Sequence, residues 1–286
     1  MSRSEERPEY QSRPEIRSLQ SFPSFQAVGE LPKGPLEKLL SFFADVRAGE
    51  GPGVLLMTLN VFLLLFSYYL LKTVREALIL TEGGAYIKAY SSAGQAALLM
   101  LLIFLVELAA GWITIAGAFR TPSPDQSFIQ AIITPLVLFI CVGIYEEFFS
   151  RGYHLKNMAE GLRGLWGLGP QGAIVLATLF SSAIFGLLHA GNPNATPLST
   201  FNIFLAGIFL ALGYILTGEL AIPIGLHMTW NFFQGNVFGF PVSGTEASAA
   251  TIIAINQGGN PLITGGAFGP EAGLVGIGAM LLGSLL

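Results

Sequence analysis

Long apolar runs alternate with short polar segments along most of the chain. A helix needs about 20 apolar residues to cross a bilayer, and backbone groups in lipid must form their hydrogen bonds within the segment. The runs therefore predict helical spans, and an open sheet is excluded. We predict an all-α, polytopic transmembrane helix bundle with about seven spans, at residues 53–72, 95–118, 128–149, 171–190, 200–217, 220–239 and 270–286.

The polar connections differ in length. Only the residues TGEL separate the fifth and sixth predicted spans, so these two spans should form a tight helical hairpin. The segment 256–273 is long, rich in glycine and carries a single charge, Glu271. Such a composition indicates a loop, and its low charge favours a re-entrant or interfacial segment.

Composition supports a membrane protein. The chain has 286 residues, of which 52% are hydrophobic and only 11% are charged, whereas a soluble domain is about 25% charged. The net charge of -4 gives no indication of a nucleic-acid partner. The lipid bilayer is therefore an expected partner.

The charges are concentrated at the amino terminus. Residues 1–52 hold seven of the 14 Lys and Arg residues and eight of the 18 Asp and Glu residues. We predict a polar, disordered tail over 1–52, two membrane helices over 53–120 and a core over 121–286. The tail lacks the apolar core of a cleavable signal, so the first helix should be an uncleaved anchor.

Orientation depends on opposing signals. The basic residues of the tail favour a cytoplasmic amino terminus. The loops 72–90 and 151–169 would then lie outside, yet each carries three basic residues.

Three charges stand at the end of an apolar run, in GIYEEFFSRGYH. Glu147 and Arg151 are four residues apart with the acid first, the favourable order for a helical ion pair. Such a pair could simply hold a helix end, but it leaves Glu146 unexplained, because adjacent helical residues point about 100° apart. We therefore expect Arg151 to hold Glu147, while Glu146 is free to act as a general base.

Two of the three histidines lie in predicted membrane helices. His189 ends a helix four residues after Phe185, where a purely structural role is also reasonable because cations are favourable at helix C-termini. His227 and Asn231 are four residues apart and share a helix face. Their side chains can donate hydrogen bonds towards one point, which suits an oxyanion or a positioned water. Polar groups in lipid associate. We therefore expect one cavity to bring together Glu146, Glu147, His189, His227 and Asn231.

The motifs EExxxR, FxxxH and HxxxN, in this order on successive apolar helices, resemble the CPBP family of intramembrane proteases, which includes CAAX-processing endopeptidases and bacterial Abi proteins. The resemblance covers about residues 128–240, and the glycine-rich NPLITGGAFGPEAG is similar to the C-terminal segments of bacterial members. It implies a helical membrane bundle with a cavity open to the membrane.

The resemblance also implies roles at the matching positions. Glu146 would activate a water with help from His189, His227 and Asn231 would stabilise the oxyanion, and Glu147 with Arg151 would support the site. The implied activity is that of a membrane endopeptidase, either CAAX-type or involved in peptide or bacteriocin processing, in a bacterial inner membrane. The resemblance thus also implies a peptide or protein substrate as partner.

Zinc is the candidate metal. Two histidines and a glutamate could form a zinc site with one open position, in which case the ligands would be Glu146, His189 and His227. The zincin motif H-E-x-x-H is absent. A water activated by glutamate needs no metal, and we expect no obligatory metal.

Two alternatives follow from the sequence. One is a membrane scaffold or immunity protein with the same fold and no proteolysis, although such a protein would be expected to have lost one of the four residues Glu146, His189, His227 or Asn231. The other is a transport component, because residues 59–80 resemble the first helix of ATP/ADP translocase-type nucleotide transporters, with Lys72 and Arg75 at matching charges. A leader helix with a snorkelling basic end explains the same residues.

Overall fold

A computed structural model describes residues 32–82, 84–245 and 250–285. Residues 1–31 of the predicted disordered tail 1–52 lie outside this description. So do the side chains of residues 68–82, 84–86 and 166, which include Lys72 and Arg75. The chain divides into two compact units, residues 1–71 and 72–286. The finer division at residues 52 and 120 stays a prediction.

Helices dominate the described residues. The α-helices are, in chain order, α1 (Pro35–Leu40), α2 (Gly51–Glu82), α3 (Gly84–Ala109), α4 (Phe128–Glu147), α5 (Lys156–Leu162), α6 (Pro170–Leu188), α7 (Pro197–Thr217), α8 (Ala221–Phe232), α9 (Pro261–Thr264) and α10 (Leu274–Leu285). Two π-helical segments follow α4 and α8, at Phe148–Leu155 and Phe233–Val237. Short 3-10 turns lie at Leu165–Gly167, Gly266–Phe268 and Pro270–Ala272.

The prediction of a purely helical fold is wrong at one place, where two strands pair. Strand β1 (Ile113–Arg120) and strand β2 (Thr251–Gln257) form an antiparallel two-stranded sheet, with Ile113 opposite Gln257 and a bulge between Ile115 and Gly117. The predicted span 95–118 is therefore a helix only as far as Ala109. The helix ends at a turn in which Gly111 has φ +71°, and the strand partner lies more than 100 residues away, beyond the reach of any local pattern.

Four helices of the described chain are long and apolar enough to cross a membrane, at Ile87–Ala109, Phe128–Leu162, Pro170–Leu188 and Pro197–Thr217. Seven spans are not confirmed. The predicted span 220–239 is the 12-residue α8 plus a π-helical segment, and the predicted span 270–286 is reduced to the 12-residue α10. The close connection between α7 and α8 is confirmed, since only residues 218–220 separate them.

Small residues allow the helices of the second unit to approach closely. A Cβ atom on Gly143 of α4 would lie 3.0 Å from Met228 Cβ of α8, and one on Gly207 of α7 would lie 2.9 Å from Ser182 Cβ of α6. Membrane helices pack in this way because small residues bring the backbones together. These two crossings pair α4 with α8 and α6 with α7.

An apolar core joins α8 to helices from distant parts of the chain. Met100 and Ile103 of α3 and Trp230 of α8 belong to the same buried cluster as Phe209 of α7 and Met280 of α10. Ser92 Oγ of α3 also donates to the Ile222 carbonyl at 3.1 Å. The helix that carries His227 and Asn231 packs on α3, α4 and α7.

Candidate active site

A buried ion pair ties together three helices at the end of α4. Arg151 Nη1 donates to Glu147 Oε1 at 2.8 Å, and its Nη2 donates to the Gly207 carbonyl of α7, also at 2.8 Å. His227 Nδ1 of α8 lies 2.7 Å from the same Glu147 oxygen. Both members of the pair are almost fully buried, so Glu147 holds Arg151 and orients His227.

The segment after Glu147 is π-helical rather than α-helical. π-Helical turns occur mostly as local bulges in α-helices, frequently at functional sites. Arg151 lies inside this segment and still reaches back to Glu147, while its guanidinium carbon sits 4.6 Å from the centre of the Phe185 ring. Phe185 of the FxxxH motif therefore covers the arginine.

Glu146 contacts groups other than the Glu147–Arg151 ion pair, as expected from its adjacent position on the helix. Its Oε1 accepts a hydrogen bond from the Tyr145 hydroxyl at 2.9 Å. Its Oε2 is buried and forms no hydrogen bond within the described part of the chain. This oxygen lies 4.0 Å from His189 Nε2 and 3.9 Å from His227 Nε2.

Both histidines present the same ring nitrogen to Glu146. His189 Nδ1 lies 2.8 Å from the Phe185 carbonyl, which can only accept, so Nδ1 carries a proton there. His227 Nδ1 faces the Glu147 carboxylate, which sets the same tautomer. Each Nε2 is thus left facing the Glu146 carboxylate, as an acceptor when the ring is neutral and as a donor when it is protonated.

A wide cleft of about 880 Å³ gives access to these groups. Glu146, His189, His227 and Asn231 all line it, so the structure brings together the predicted water-activating and oxyanion groups. Glu147 and Arg151 lie behind them, buried. The lining of the cleft includes exposed aromatic side chains, among them Phe148 and Phe149.

Zinc can be tested against the geometry of the three candidate ligands. The donor set has suitable chemistry, because each Nε2 and Glu146 Oε2 face one another. Two donors on one tetrahedral zinc lie about 3.4 Å apart, given bonds of about 2.0–2.1 Å, whereas the measured separations are 3.9 and 4.0 Å. Among the described residues, no group of three His, Cys, Asp or Glu side chains is placed to hold a metal. The spacing does not fit zinc, and we derive no step through a metal.

Sequence reasoning missed residues that support the site from outside the three motifs. The sequence pattern does not distinguish Tyr145 from its apolar neighbours, although its hydroxyl donates a hydrogen bond to Glu146 Oε1. Ser243 lines the cleft, and its backbone N–H donates to Glu271 Oε1 at 2.6 Å. Glu271 was the only charge in a glycine-rich segment, which was a usable signal. The other Glu271 oxygen, Oε2, accepts a hydrogen bond from Gln234 Nε2. Gln234 Oε1 in turn accepts from Trp230 Nε1 at 2.8 Å.

Comparisons with known proteins agree with the motifs. Residues 128–233 match the family model described as type II CAAX prenyl endopeptidase Rce1-like, a protease family. This match confirms the predicted resemblance over that segment and, with the four apolar helices, supports an integral membrane protein.

The curated proteins include an Escherichia coli relative described as "Uncharacterized 24.3 kDa protein", which is 30% identical over 104 residues. That alignment covers 36% of this chain and 43% of the relative, so the chain matches less than half of the relative's length. No solved structure matches the chain.

Proposed function

We propose that this protein is an intramembrane endopeptidase that hydrolyses a peptide bond with a water molecule activated by Glu146. The observation that carries the proposal is the buried, unbonded Oε2 of Glu146, which faces the Nε2 atoms of two histidines at the wall of a cleft. The Rce1-like match supports a peptidase. A bacterial inner membrane and a CAAX-type or other peptide substrate belong to the same proposal.

The reacting water has a natural position between Glu146 and the histidines. Gaps of 3.9 and 4.0 Å are too long for direct hydrogen bonds, but a gap of this size suits a bridging water. A water about 2.8 Å from both Glu146 Oε2 and a histidine Nε2 would make an angle of roughly 90° between them. The carboxylate would accept one water proton, and the lone pair of the water oxygen would attack the substrate carbonyl carbon.

The oxyanion formed by this attack needs donors. Asn231 offers its side-chain N–H₂, and His227 offers Nε2–H when protonated. A protonated His227 donates from Nδ1 to Glu147, so Glu147 stabilises the ring form that the oxyanion requires. Collapse of the intermediate breaks the C–N bond, and the proton held by Glu146 passes to the leaving amine. Arg151 and Glu147 take no proton in this scheme and act by positioning.

The test is hydrolysis of a fluorogenic peptide panel by purified wild type, Glu146→Gln and Glu160→Gln. Glu160 is an exposed acid on α5, so its variant controls for the loss of one carboxylate. We expect wild type and Glu160→Gln to cleave the same peptides, and Glu146→Gln to be folded and at least a hundredfold slower, because general bases contribute about 10²–10⁴-fold. Undiminished turnover by Glu146→Gln would remove Glu146 from the mechanism.

The same samples address the two other interpretations. Folded wild-type protein that cleaves nothing would favour a scaffold or immunity role. Nucleotide binding or flux in liposomes would favour a transport component. The side chains on which the transport reading rests, Lys72 and Arg75, lie outside the described residues.

A further inference from the structure

A chain of hydrogen bonds runs from the end of α6 to the C-terminal segment along the wall of the cleft. The His189 carbonyl accepts from the Asn192 backbone N–H at 3.1 Å, and Asn192 Nδ2 donates to the Ser243 carbonyl at 2.9 Å. The Ser243 backbone N–H then donates to Glu271 Oε1 at 2.6 Å. Because Asn192 and Ser243 both line the cleft, Glu271 holds the part of the wall that is bonded to the segment after His189.

The second oxygen of Glu271 continues the chain to α8. Its Oε2 accepts from Gln234 Nε2, and Gln234 Oε1 accepts from Trp230 Nε1 at 2.8 Å. Trp230 directly precedes Asn231 on α8. One carboxylate therefore connects the segment that carries His189 with the helix that carries Asn231.

The partners of Glu271 require it to accept a hydrogen bond at both oxygens. An indole N–H can only donate, so Gln234 turns its oxygen towards Trp230 and its N–H₂ towards Glu271. The backbone N–H of Ser243 is also a donor. An ionised carboxylate satisfies both neighbours, whereas a protonated carboxyl or an amide side chain would turn one donor towards another donor.

The turn at residues 242–245 depends on such contacts for its conformation. Ser243 has φ +48°, which is uncommon for a residue with a side chain and persists only where the surroundings enforce it. The next backbone N–H, of Gly244, donates to the Phe268 carbonyl at 2.7 Å. A Cβ on Gly269 would lie 2.5 Å from Glu271 Oε2, so the absence of a side chain there leaves room for the carboxylate.

We propose that Glu271 is a positioning residue for the proposed hydrolysis, whose ionised carboxylate holds the turn 242–245 and Gln234 and thereby fixes the placement of His189 and Asn231. The inference rests on the proposed endopeptidase function. Glu271 and Ser243 lie outside the Rce1-like segment 128–233, which contains all the proposed catalytic side chains. The C-terminal segment thus completes a site that the matched segment does not hold in place alone.

The ionisation of Glu271 can be varied with pH. Burial raises the pKa of Glu271 to about 7, although the hydrogen bonds from Ser243 and Gln234 lower it. The elements packed against its turn, which are α7, α9, α10 and the turn at Gly266–Phe268, carry no Asp, Glu, Lys, Arg or His. His189 and His227 are the other titratable side chains that line the same small cavity. Wild type and a Glu271 variant share the titration of these histidines and of Glu146, so the ratio of their rates isolates Glu271.

The test compares wild type and Glu271→Gln on the fluorogenic peptides across this pKa. At about pH 8.5 we expect Glu271→Gln to have a kcat at least tenfold lower with KM within about threefold, because a displacement of about 1 Å in an active site can cost about a hundredfold. At about pH 5.5 the two should differ by no more than about threefold, because the protonated wild-type carboxyl has lost the same acceptor. Glu160→Gln, the control on the exposed face of α5, should match wild type at both pH values.

Exchanging the two side chains tests the pairing itself. In Gln234→Glu/Glu271→Gln, the amide oxygen at position 271 still accepts from Ser243, and its N–H₂ donates to the carboxylate at position 234, which accepts from Trp230. The Pro241 carbonyl loses the donor that Gln234 supplies, so recovery should be partial. We expect kcat at about pH 8.5 to exceed that of Glu271→Gln at least threefold, since coupling between contacting residues corresponds to about 2- to 150-fold.

A ratio of wild type to Glu271→Gln that stays constant with pH, or a double variant no faster than Glu271→Gln, overturns the positioning role and leaves the proposed function in place. If Glu271→Gln does not fold, the double variant decides. A folded and active double variant supports the pairing, and an unfolded or inactive one overturns it. Wild type that cleaves no peptide at any pH refutes the proposed function, and the inference with it, so the two failures are distinguishable.

Discussion

Removing Glu147 should destabilise the protein because it strands a buried charge. In Glu147→Ala the Arg151 guanidinium, 1% exposed, loses the carboxylate that it contacts at 2.8 Å. It keeps the Gly207 carbonyl and the face of the Phe185 ring, neither of which carries a negative charge. Breaking a buried ion pair by removing one partner costs about 3–5 kcal/mol.

The expected shift in melting temperature is large enough to measure. For chains of about 150–250 residues, 1 kcal/mol corresponds to about 2–4 °C, so Glu147→Ala should melt about 10 °C below wild type. Thermal unfolding in detergent can be followed by the fluorescence of the three tryptophans. Glu160→Ala is the control, and a surface change of this kind should stay within about 0.5 kcal/mol.

The double variant separates a stranded charge from simple loss of packing. Glu147→Ala/Arg151→Ala removes both charges, so it should melt several degrees above Glu147→Ala even though more atoms are missing. Coupled residues show interaction free energies of about 0.5–3 kcal/mol. The argument from a stranded guanidinium fails if Glu147→Ala melts within about 2 °C of wild type. It also fails if the decrease in melting temperature of the double variant equals the sum of the decreases in Glu147→Ala and Arg151→Ala.

Three further changes test how the site is built. Tyr145→Phe removes the hydroxyl that donates a hydrogen bond to Glu146 Oε1. It should lower kcat about three- to tenfold with KM unchanged, as expected for the loss of one hydrogen bond. A raised KM at constant kcat would instead make Tyr145 a substrate contact. Gly143→Ala places a Cβ 3.0 Å from Met228 Cβ and should separate α4 from α8, which lowers the free energy of unfolding by about 1–3 kcal/mol and removes most of the activity. The control is Gly94→Ala on α3, where a Cβ meets nothing within 4 Å, and this change should be neutral or stabilising. Equal effects of the two variants would contradict the close-packing argument. Chelator treatment should leave peptide cleavage unchanged, because the spacing of Glu146 and the two histidines is too wide for zinc; loss of cleavage that zinc restores would show that the site contracts around a metal.

Local patterns predicted the helices well where burial in lipid is the dominant constraint. The spans at 128–149, 171–190 and 200–217 agree with α4, α6 and α7 within a few residues, because long apolar runs have few alternatives to a helix. The same reasoning failed at 113–118, where hydropathy alone does not distinguish an apolar helix from an apolar strand. Strand β1 depends on its pairing with β2. The two strands are too far apart in the sequence for a local pattern to include both.

The contacts within the candidate site could also be predicted only in part. Spacing alone was enough to pair Glu147 with Arg151 and to direct Glu146 elsewhere, because both inferences use only the geometry of one helix. The contact between Glu147 and His227 joins residues 80 positions apart and depends on how closely α4 approaches α8 at Gly143. That approach is a property of packing between helices.

The sequence by itself determined that this is a helical membrane protein with an EExxxR, FxxxH and HxxxN set, because lipid restricts backbone structure and because each motif lies within one helix. Only the tertiary structure decided which atoms face each other. It directed both Nε2 atoms towards Glu146 Oε2 and brought Glu271 behind Ser243. It also brought Leu210 of α7, Leu226 of α8 and Met280 of α10 around one small cavity. Those relations depend on crossing angles and close approaches between distant segments, which no local hydropathy or spacing pattern encodes.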